Sequence, residues 1–159
     1  MLPRVSTNAL SGLLETVAGP PFSGNADLPH VAARLHMEVD DLFPIAEALQ
    51  LLRLAEVSEG DIRLTESGRR YVDAGTDARK RLFGESLLAH VPIVARIRRV
   101  LDERRGHKAP LSRFREELED HMTEKDAERT LRAAIGWGRF AEAFAYDERS
   151  ATFSLENPV

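Results

Sequence analysis

The sequence predicts a mainly α-helical protein with small β-hairpins, arranged as two units of similar pattern. Three observations support this. Apolar residues recur at helical spacing through most of the 159 residues. In two places this spacing gives way to alternation beside a turn. Corresponding positions in the two halves, such as Asp27 with Leu111 and Asp40 with Thr123, lie 83 or 84 residues apart. We therefore divide the chain into residues 1–75 and 76–159.

The first unit begins with a leading helix and continues through residues 27–72. The leading helix starts at Ser6 or Thr7 and is followed by a predicted loop over residues 20–26. Asp27 then caps a second helix, because its carboxylate can accept from the free amides of the first turn. The apolar positions of this helix are Leu28, Val31, Ala32 and Leu35.

A third helix and a hairpin complete this unit. The helix is predicted from Asp40, as its cap, to Leu52, and the hairpin turns at Glu59 and Gly60. Thr65 caps a closing helix. Two short helices joined by a tight turn and followed by a hairpin are typical of a winged helix.

Residues 76–159 are predicted to contain two linking helices and a second winged-helix-like unit. Gly75 marks the boundary between the two units. Pro92 separates the linking helices, because the residue before a proline resists the helical conformation. The pattern of the first unit returns at Leu111.

The last predicted helix has Thr123 as its cap, three residues before Asp126. We expect Gly136, Trp137 and Gly138 to end it. A second hairpin should follow, built on the alternating residues Phe140, Phe144, Tyr146, Phe153 and Leu155.

The composition indicates a folded globular protein, with 43% apolar residues and no cysteine. The lack of cysteine excludes disulfides and thiolate metal sites. No segment has the pattern of a signal peptide or membrane span, so a cytoplasmic location is expected. Residues 1–75 carry 6 basic and 11 acidic side chains, and residues 76–159 carry 16 and 15. Neither half therefore has the excess positive charge of a nucleic-acid-binding module.

No motif in the sequence predicts catalysis or cofactor binding. It contains no GxxxxGK[ST] loop for nucleotide phosphates and no HExxH metal motif. The adjacent Asp40 and Asp41 are better explained by helix capping and the helix dipole than by a metal or acid-base role. We therefore expect a protein that is not an enzyme and needs no cofactor. A metal site assembled across the fold remains the alternative for the histidines, which are His30, His36, His90, His107 and His121.

Charge on the predicted third helix argues against DNA binding. That helix carries Asp40, Asp41 and Glu47, and Asp61 lies in the adjoining hairpin turn. Carboxylates repel the phosphate backbone, which cations and amides normally contact. They suit a basic protein surface instead, so these four residues are predicted to contact a partner protein.

The second unit offers two further candidates and one basic helix. Trp137 and Tyr146 would add aromatic contact area to a partner surface if they are exposed, although burial in the core is the favoured interpretation. Lys125, Arg129 and Arg132 follow one side of the helix, but acidic residues are interleaved with them. We expect ion pairs along a solvated face there, in preference to a DNA surface.

Four stretches of the chain together resemble a known family, the C-terminal AAA-associated domain. They are residues 35–49 (LHMEVDDLFPIAEAL), 64–68 (LTESG), 88–92 (LAHVP) and 136–142 (GWGRFAE). The resemblance runs from Pro3 to Glu156. Members follow the ATP-binding domain of ABC transporter subunits of the nitrate, sulfonate and taurine importer type.

The resemblance implies a non-catalytic regulatory or interaction domain whose partner is an ABC transporter ATPase domain, in the same chain or in another. No ATPase domain precedes it in this sequence, so we expect an excised segment or a free-standing relative. A homodimer is left open. The alternative function is a winged-helix transcriptional regulator that binds DNA.

Overall fold

The computed structural model describes residues 2–155 and contains eight helices and six strands in that range. Residues 1 and 156–159 lie outside it, including Glu156 at the end of the predicted resemblance. The helices are α1 (Thr7–Ala18), α2 (Leu28–Leu35), α3 (Val39–Leu51), α4 (Glu66–Asp73), α5 (Thr76–His90), α6 (Pro92–Glu103), α7 (Leu111–Glu119) and α8 (Glu124–Phe140). The strands are β1 (Asn25–Asp27), β2 (Ala55–Ser58), β3 (Asp61–Leu64), β4 (Lys108–Pro110), β5 (Ala145–Asp147) and β6 (Thr152–Ser154).

The chain is mainly helical, as predicted, with two small antiparallel sheets of three strands each. In the first sheet β3 lies between β1 and β2, so that Ile62 is opposite both Ala26 and Val57. In the second sheet β6 lies between β4 and β5. Both sheets therefore contain the expected hairpin and one additional strand. β1 was missed because residues 20–26 were predicted as a loop.

The order of elements is repeated along the chain. The series α1, β1, α2, α3, β2, β3 is followed, after α4 and α5, by α6, β4, α7, α8, β5, β6. Val39 begins α3 and Glu124 begins α8, an offset of 85 residues. The hairpins begin at Ala55 and Ala145, an offset of 90, because α8 has 17 residues and α3 has 13, and the link after α8 is one residue longer.

The longer α8 corrects the prediction that Gly136, Trp137 and Gly138 end this helix. All three residues are helical, and so is Phe140, which was assigned to the hairpin. A Cβ atom on Gly138 would lie 2.1 Å from Cζ of Phe144, so this glycine permits close packing of the chain that follows. The helix ends where Glu142 adopts a φ of 58°, since a positive φ takes the backbone out of the right-handed helical region.

Four of the predicted helix caps are confirmed and one is wrong. Asp27 accepts from the amide of His30 at 2.8 Å. The other three caps also accept from the amide three residues on, and they are Ser6, Thr65 and Thr123. Asp40 is not a cap, because α3 begins at Val39 and Glu38 occupies the cap position without a side-chain bond.

A continuous hydrophobic core connects the two predicted units. Leu49 of α3 and Leu131 of α8 are both buried in it; each such side chain contributes roughly 1.5–3 kcal/mol of transfer free energy. When α3 and α8 are aligned at their first residues, Leu131 corresponds to Ala46. Leu49 and Leu131 therefore do not occupy equivalent positions in the two helices. The division at residue 75 remains a prediction, with α4 and α5 meeting there.

The amino-terminal segment crosses from the first unit to α8. The amide of Leu2 donates to Oγ1 of Thr130 at 3.2 Å, and Nε1 of Trp137 donates to the carbonyl of Val5 at 2.8 Å. α1 also packs on α3, α4 and α8. These contacts hold α3 and α8 in one body.

No helix within residues 2–155 combines the length and the apolar character that crossing a bilayer requires.

Candidate interaction surface

α3 presents an apolar and acidic strip to solvent. Its inward residues are fully buried, and they are Leu42, Ala46, Ala48 and Leu49. Asp40, Phe43, Pro44 and Glu47 have the spacing i, i+3, i+4, i+7, which places them on one side of a helix, and all four are exposed. We call this strip the acidic face. Phe43 is 46% exposed, one of two large exposed apolar side chains in the described residues.

The carboxylates of this surface are not engaged in ion pairs with the described residues. Asp40, Asp41 and Glu47 form no ion pair with any residue in the range 2–155. Asp40 and Asp41 lie in the first turn of α3, where the helix dipole favours negative charge by about 0.3–1 kcal/mol each. Glu47 lies two turns further along and has no such local role. The charge of the acidic face is therefore available to a partner.

Asp61, the fourth predicted acidic contact, belongs to the sheet. It is exposed at the start of β3, where its neighbours across the strands are Asp27 and Ser58. Glu56 on the neighbouring strand pairs with Arg63. Asp61 adds to the negative charge of the first unit from a different element.

α8 presents two cations on one side near its start, with Glu124 and Asp126 beside them. Lys125 and Arg129 are exposed four residues apart and form no ion pair with residues 2–155. We call these two residues the basic face. Within the described residues, the ion pairs predicted for this helix are therefore not formed by Lys125 or Arg129.

The predicted ion pairs are present around Arg132. Its guanidinium donates to Glu128 at 3.1 Å and to Glu148 at 2.9 Å. The hydrogen bond from Arg132 lowers the pKa of Glu128. Conversely, the hydrogen bonds to Glu128 and Glu148 raise the pKa of Arg132. This arginine is consequently held within the second unit.

The acidic and basic faces lie beside each other. A surface pocket of about 310 Å³ is lined by Pro44 and Glu47 from α3 and by Arg129 from α8. Leu2, Pro3 and Arg4 complete its wall. The amino-terminal segment thus lies between α3, which contributes Glu47, and α8, which contributes Arg129.

The aromatic part of the predicted contact surface is corrected by the structure. Trp137 is 1% exposed and Tyr146 is 7% exposed, so both belong to the core. Trp137 packs edge-on against Phe83 with ring centroids 6.5 Å apart. Burial raises the pKa of Tyr146. The exposed aromatic residue is Phe43, which was not among the predicted contacts although helical spacing puts it between Asp40 and Glu47.

Within residues 2–155, the histidine, aspartate and glutamate side chains form no group of three or more that could hold a metal. His30 contacts Asp27 through Nδ1 at 2.6 Å, and Nδ1 of His107 lies 2.8 Å from the carbonyl of Leu101. These two histidines thus have local structural partners.

The repeated order of elements and the exposed charged faces characterise a mainly helical module. The chain belongs to the C-terminal AAA-associated domain family, whose model matches residues 29–147. The match runs from α2 to β5 and includes both α3 and α8. No curated protein and no solved structure matches the chain.

Proposed function

We propose that this chain is a non-catalytic accessory domain that makes protein–protein contacts in an ABC transporter ATPase assembly. The observation that carries the proposal is the acidic face of α3, where two unpaired carboxylates, Asp40 and Glu47, flank the exposed Phe43. The family name supports the association with an ATPase. In this role the domain would act on the cytoplasmic side of the membrane, where ATP is hydrolysed.

The fold supports an interpretation as two tandem winged-helix units. In such units a strand precedes two helices and a hairpin, and the second helix is the one that contacts the ligand. Both segments have this order, with α3 and α8 as the second helices. In the first unit, the helix surface that contacts DNA in DNA-binding winged helices would therefore correspond to the acidic face of α3.

An aromatic side chain within a charged rim favours a protein partner. Interfaces concentrate binding energy in a few residues, often aromatic, that are surrounded by polar groups. Phe43 with Pro44 would supply such a centre, and Asp40, Asp41 and Glu47 would supply the rim. Complementary charge would then speed the encounter and select basic partners.

The second candidate is the DNA-binding regulator, and the unpaired Lys125 and Arg129 favour it. Two cations supply few of the phosphate contacts that specific DNA binding requires. Glu124 and Asp126 also lie beside Lys125. The accessory domain is therefore the better-supported function.

The test is the ATPase rate of the assembly formed with the ABC-type ATP-binding subunit from the same source. The Asp40→Lys, Glu47→Lys double variant should change that rate, because it reverses the charge of the acidic face. The matched control is Glu116→Lys with Glu119→Lys on α7, two exposed acidic residues that should leave the rate unchanged. Equal rates for all three proteins would contradict the proposal.

A parallel measurement separates the two candidate functions. Fluorescence anisotropy with duplex DNA should show negligible binding at physiological salt. Calorimetry with Mg-ATP should show no heat of binding, because no glycine-rich loop presents clustered amides and a lysine to phosphates. Salt-sensitive nanomolar DNA binding, weakened by Lys125→Glu with Arg129→Glu, would establish the regulator instead.

A further inference from the structure

We propose that the acidic face of α3 binds the basic face of α8 in a second copy of this chain, so that two copies pair about a twofold axis. This inference rests on the proposed function in its use of the acidic face and adds the identity of the partner. The chain itself carries the surface that this face requires.

Charge complementarity is the first argument. Asp40, Asp41 and Glu47 on α3 have no ion-pair partner within residues 2–155, and the same holds for Lys125 and Arg129 on α8. The carboxylates of the acidic face would be repelled by the acidic face of a second copy but attracted by Lys125 and Arg129 on its α8. A second copy can therefore satisfy both faces at once, whereas the acidic face opposite itself would be unfavourable.

Position is the second argument. Glu47 and Arg129 line the same surface pocket, so the two faces lie side by side on one surface of the molecule. In a twofold pair, the contact that residue i makes with residue j is made again by j with i. An axis that passes between α3 and α8 would set each helix opposite the other helix of the second copy. One arrangement then forms both contacts.

The side chains are suited to this contact. Asp40 and Glu47 are separated by about 10 Å along the helix axis, and Lys125 and Arg129 by about 6 Å, at 1.5 Å per residue. Phe43 and Pro44 lie between the two carboxylates. Lysine and arginine cover apolar surface with their aliphatic stems, and a guanidinium stacks on an aromatic ring. Phe43 would thus pack against the stems of Lys125 and Arg129.

The experiment uses two charge-reversed variants of the full chain. The first has a basic α3, through Asp40→Lys and Glu47→Lys. The second has an acidic α8, through Lys125→Glu and Arg129→Glu. In either variant alone, both contacts of the pair join faces of like charge. In a mixture of the two variants, both contacts again join opposite charges.

Sedimentation velocity is measured up to millimolar concentration at low and at physiological salt. The wild-type chain should form a dimer that weakens as salt is added. Each variant alone should associate about tenfold or more weakly, since like charges opposed in an interface are strongly unfavourable. The equimolar mixture should regain dimer. Because this recovery requires both variants to be folded, misfolding cannot imitate it.

The remaining outcomes decide between the two proposals. A wild-type chain that stays monomeric throughout, or a mixture that does not regain dimer, would overturn the second-copy inference. If the α3 variant nevertheless changed the ATPase rate, the proposed function would stand with another occupant on the acidic face. If the wild-type chain formed the dimer but the α3 variant left the ATPase rate unchanged, the second-copy inference would stand and the proposed function would be contradicted. The α7 control pair should sediment as wild type.

Discussion

The first and second segments have the same order of elements and the same strand order, yet α3 and α8 carry opposite charge on their outward sides. On α3 the outward strip is acidic and unpaired, with Phe43 at its centre. On α8 it is basic, and Arg132 is neutralised by Glu128 and Glu148. Inward positions must fit a common core, whereas outward positions are free to differ. A repeated fold can therefore present two surfaces that differ in charge.

The largest effects on stability should come from substituting two glycines, one in each unit, that pack closely against different neighbours. A Cβ atom on Gly68 would lie 2.0 Å from the backbone oxygen of Leu54, and one on Gly138 would lie 2.1 Å from the ring of Phe144. A ring can shift more readily than a backbone carbonyl. Gly68→Ala should therefore lower the free energy of unfolding by about 3 kcal/mol or more, and Gly138→Ala by about 1–3 kcal/mol.

Denaturant unfolding measures these losses, and Gly136 supplies the control. Gly136 is exposed within α8 and has no atom within 4 Å of a built Cβ. Gly136→Ala should raise the free energy of unfolding by about 0.5–1 kcal/mol, because alanine has the higher helix propensity. Destabilisation by Gly136→Ala equal to that by Gly138→Ala would refute the close-packing explanation.

The helix caps should show a smaller difference between the two units. Oγ1 of Thr123 accepts from the amide of Asp126 at 3.1 Å. Oγ1 of Thr65 accepts from Gly68 at 3.1 Å and also donates to the carbonyl of Arg53 at 2.7 Å. Thr123→Ala should cost about 1 kcal/mol. Thr65→Ala should cost about 0.5–1.5 kcal/mol more, for the second hydrogen bond.

Thermal unfolding followed by circular dichroism can compare these cap variants. The serine variants at both positions keep the hydroxyl and should remain close to wild type. An equal shift for Thr65→Ala and Thr123→Ala would show that the bond to Arg53 adds nothing.

The smallest effect on the free energy of unfolding should come from the titration of Glu128. Its ion pair with Arg132 has no counterpart in the described part of the first unit. Arg132 lowers its pKa below the ordinary value of 4.5. Its contribution to stability is therefore complete above about pH 4.5 and is lost as the pH falls through the folded-state pKa. The contribution is less than about 1 kcal/mol, because this pair is partly exposed. The stability difference between wild type and Glu128→Gln should shrink as the pH falls below this value.

Urea unfolding at a series of pH values measures that difference. Glu116→Gln is the control, since Glu116 is exposed and forms no ion pair within residues 2–155. A difference for Glu128→Gln that stays constant down to low pH would contradict the role given to Arg132.

Local signals predicted most of the secondary structure. The helix starts at Asp27, Thr65 and Thr123 could be predicted because a cap and an apolar period coincide there. β1 and β4 could not, because each strand is three residues long and no short turn joins it to the strand with which it pairs. Their existence depends on pairing with β3 and β6.

The candidate site could be predicted only in part. Helical spacing correctly placed Asp40 and Glu47 outward, since that depends only on the local period. The burial of Trp137 depends on Val5, 132 residues away in sequence, and no local pattern contains that contact. The unpaired state of Arg129 likewise depends on the tertiary positions of the surrounding carboxylates.

The contact between Trp137 and the amino-terminal segment makes the protein its own fluorescent reporter. Trp137 is the only tryptophan in the chain. Its indole is enclosed by α8, by Phe83 of α5 and by the backbone at Val5. Emission from this one residue therefore comes from the junction of the two halves, and a red shift would signal water entering where they separate.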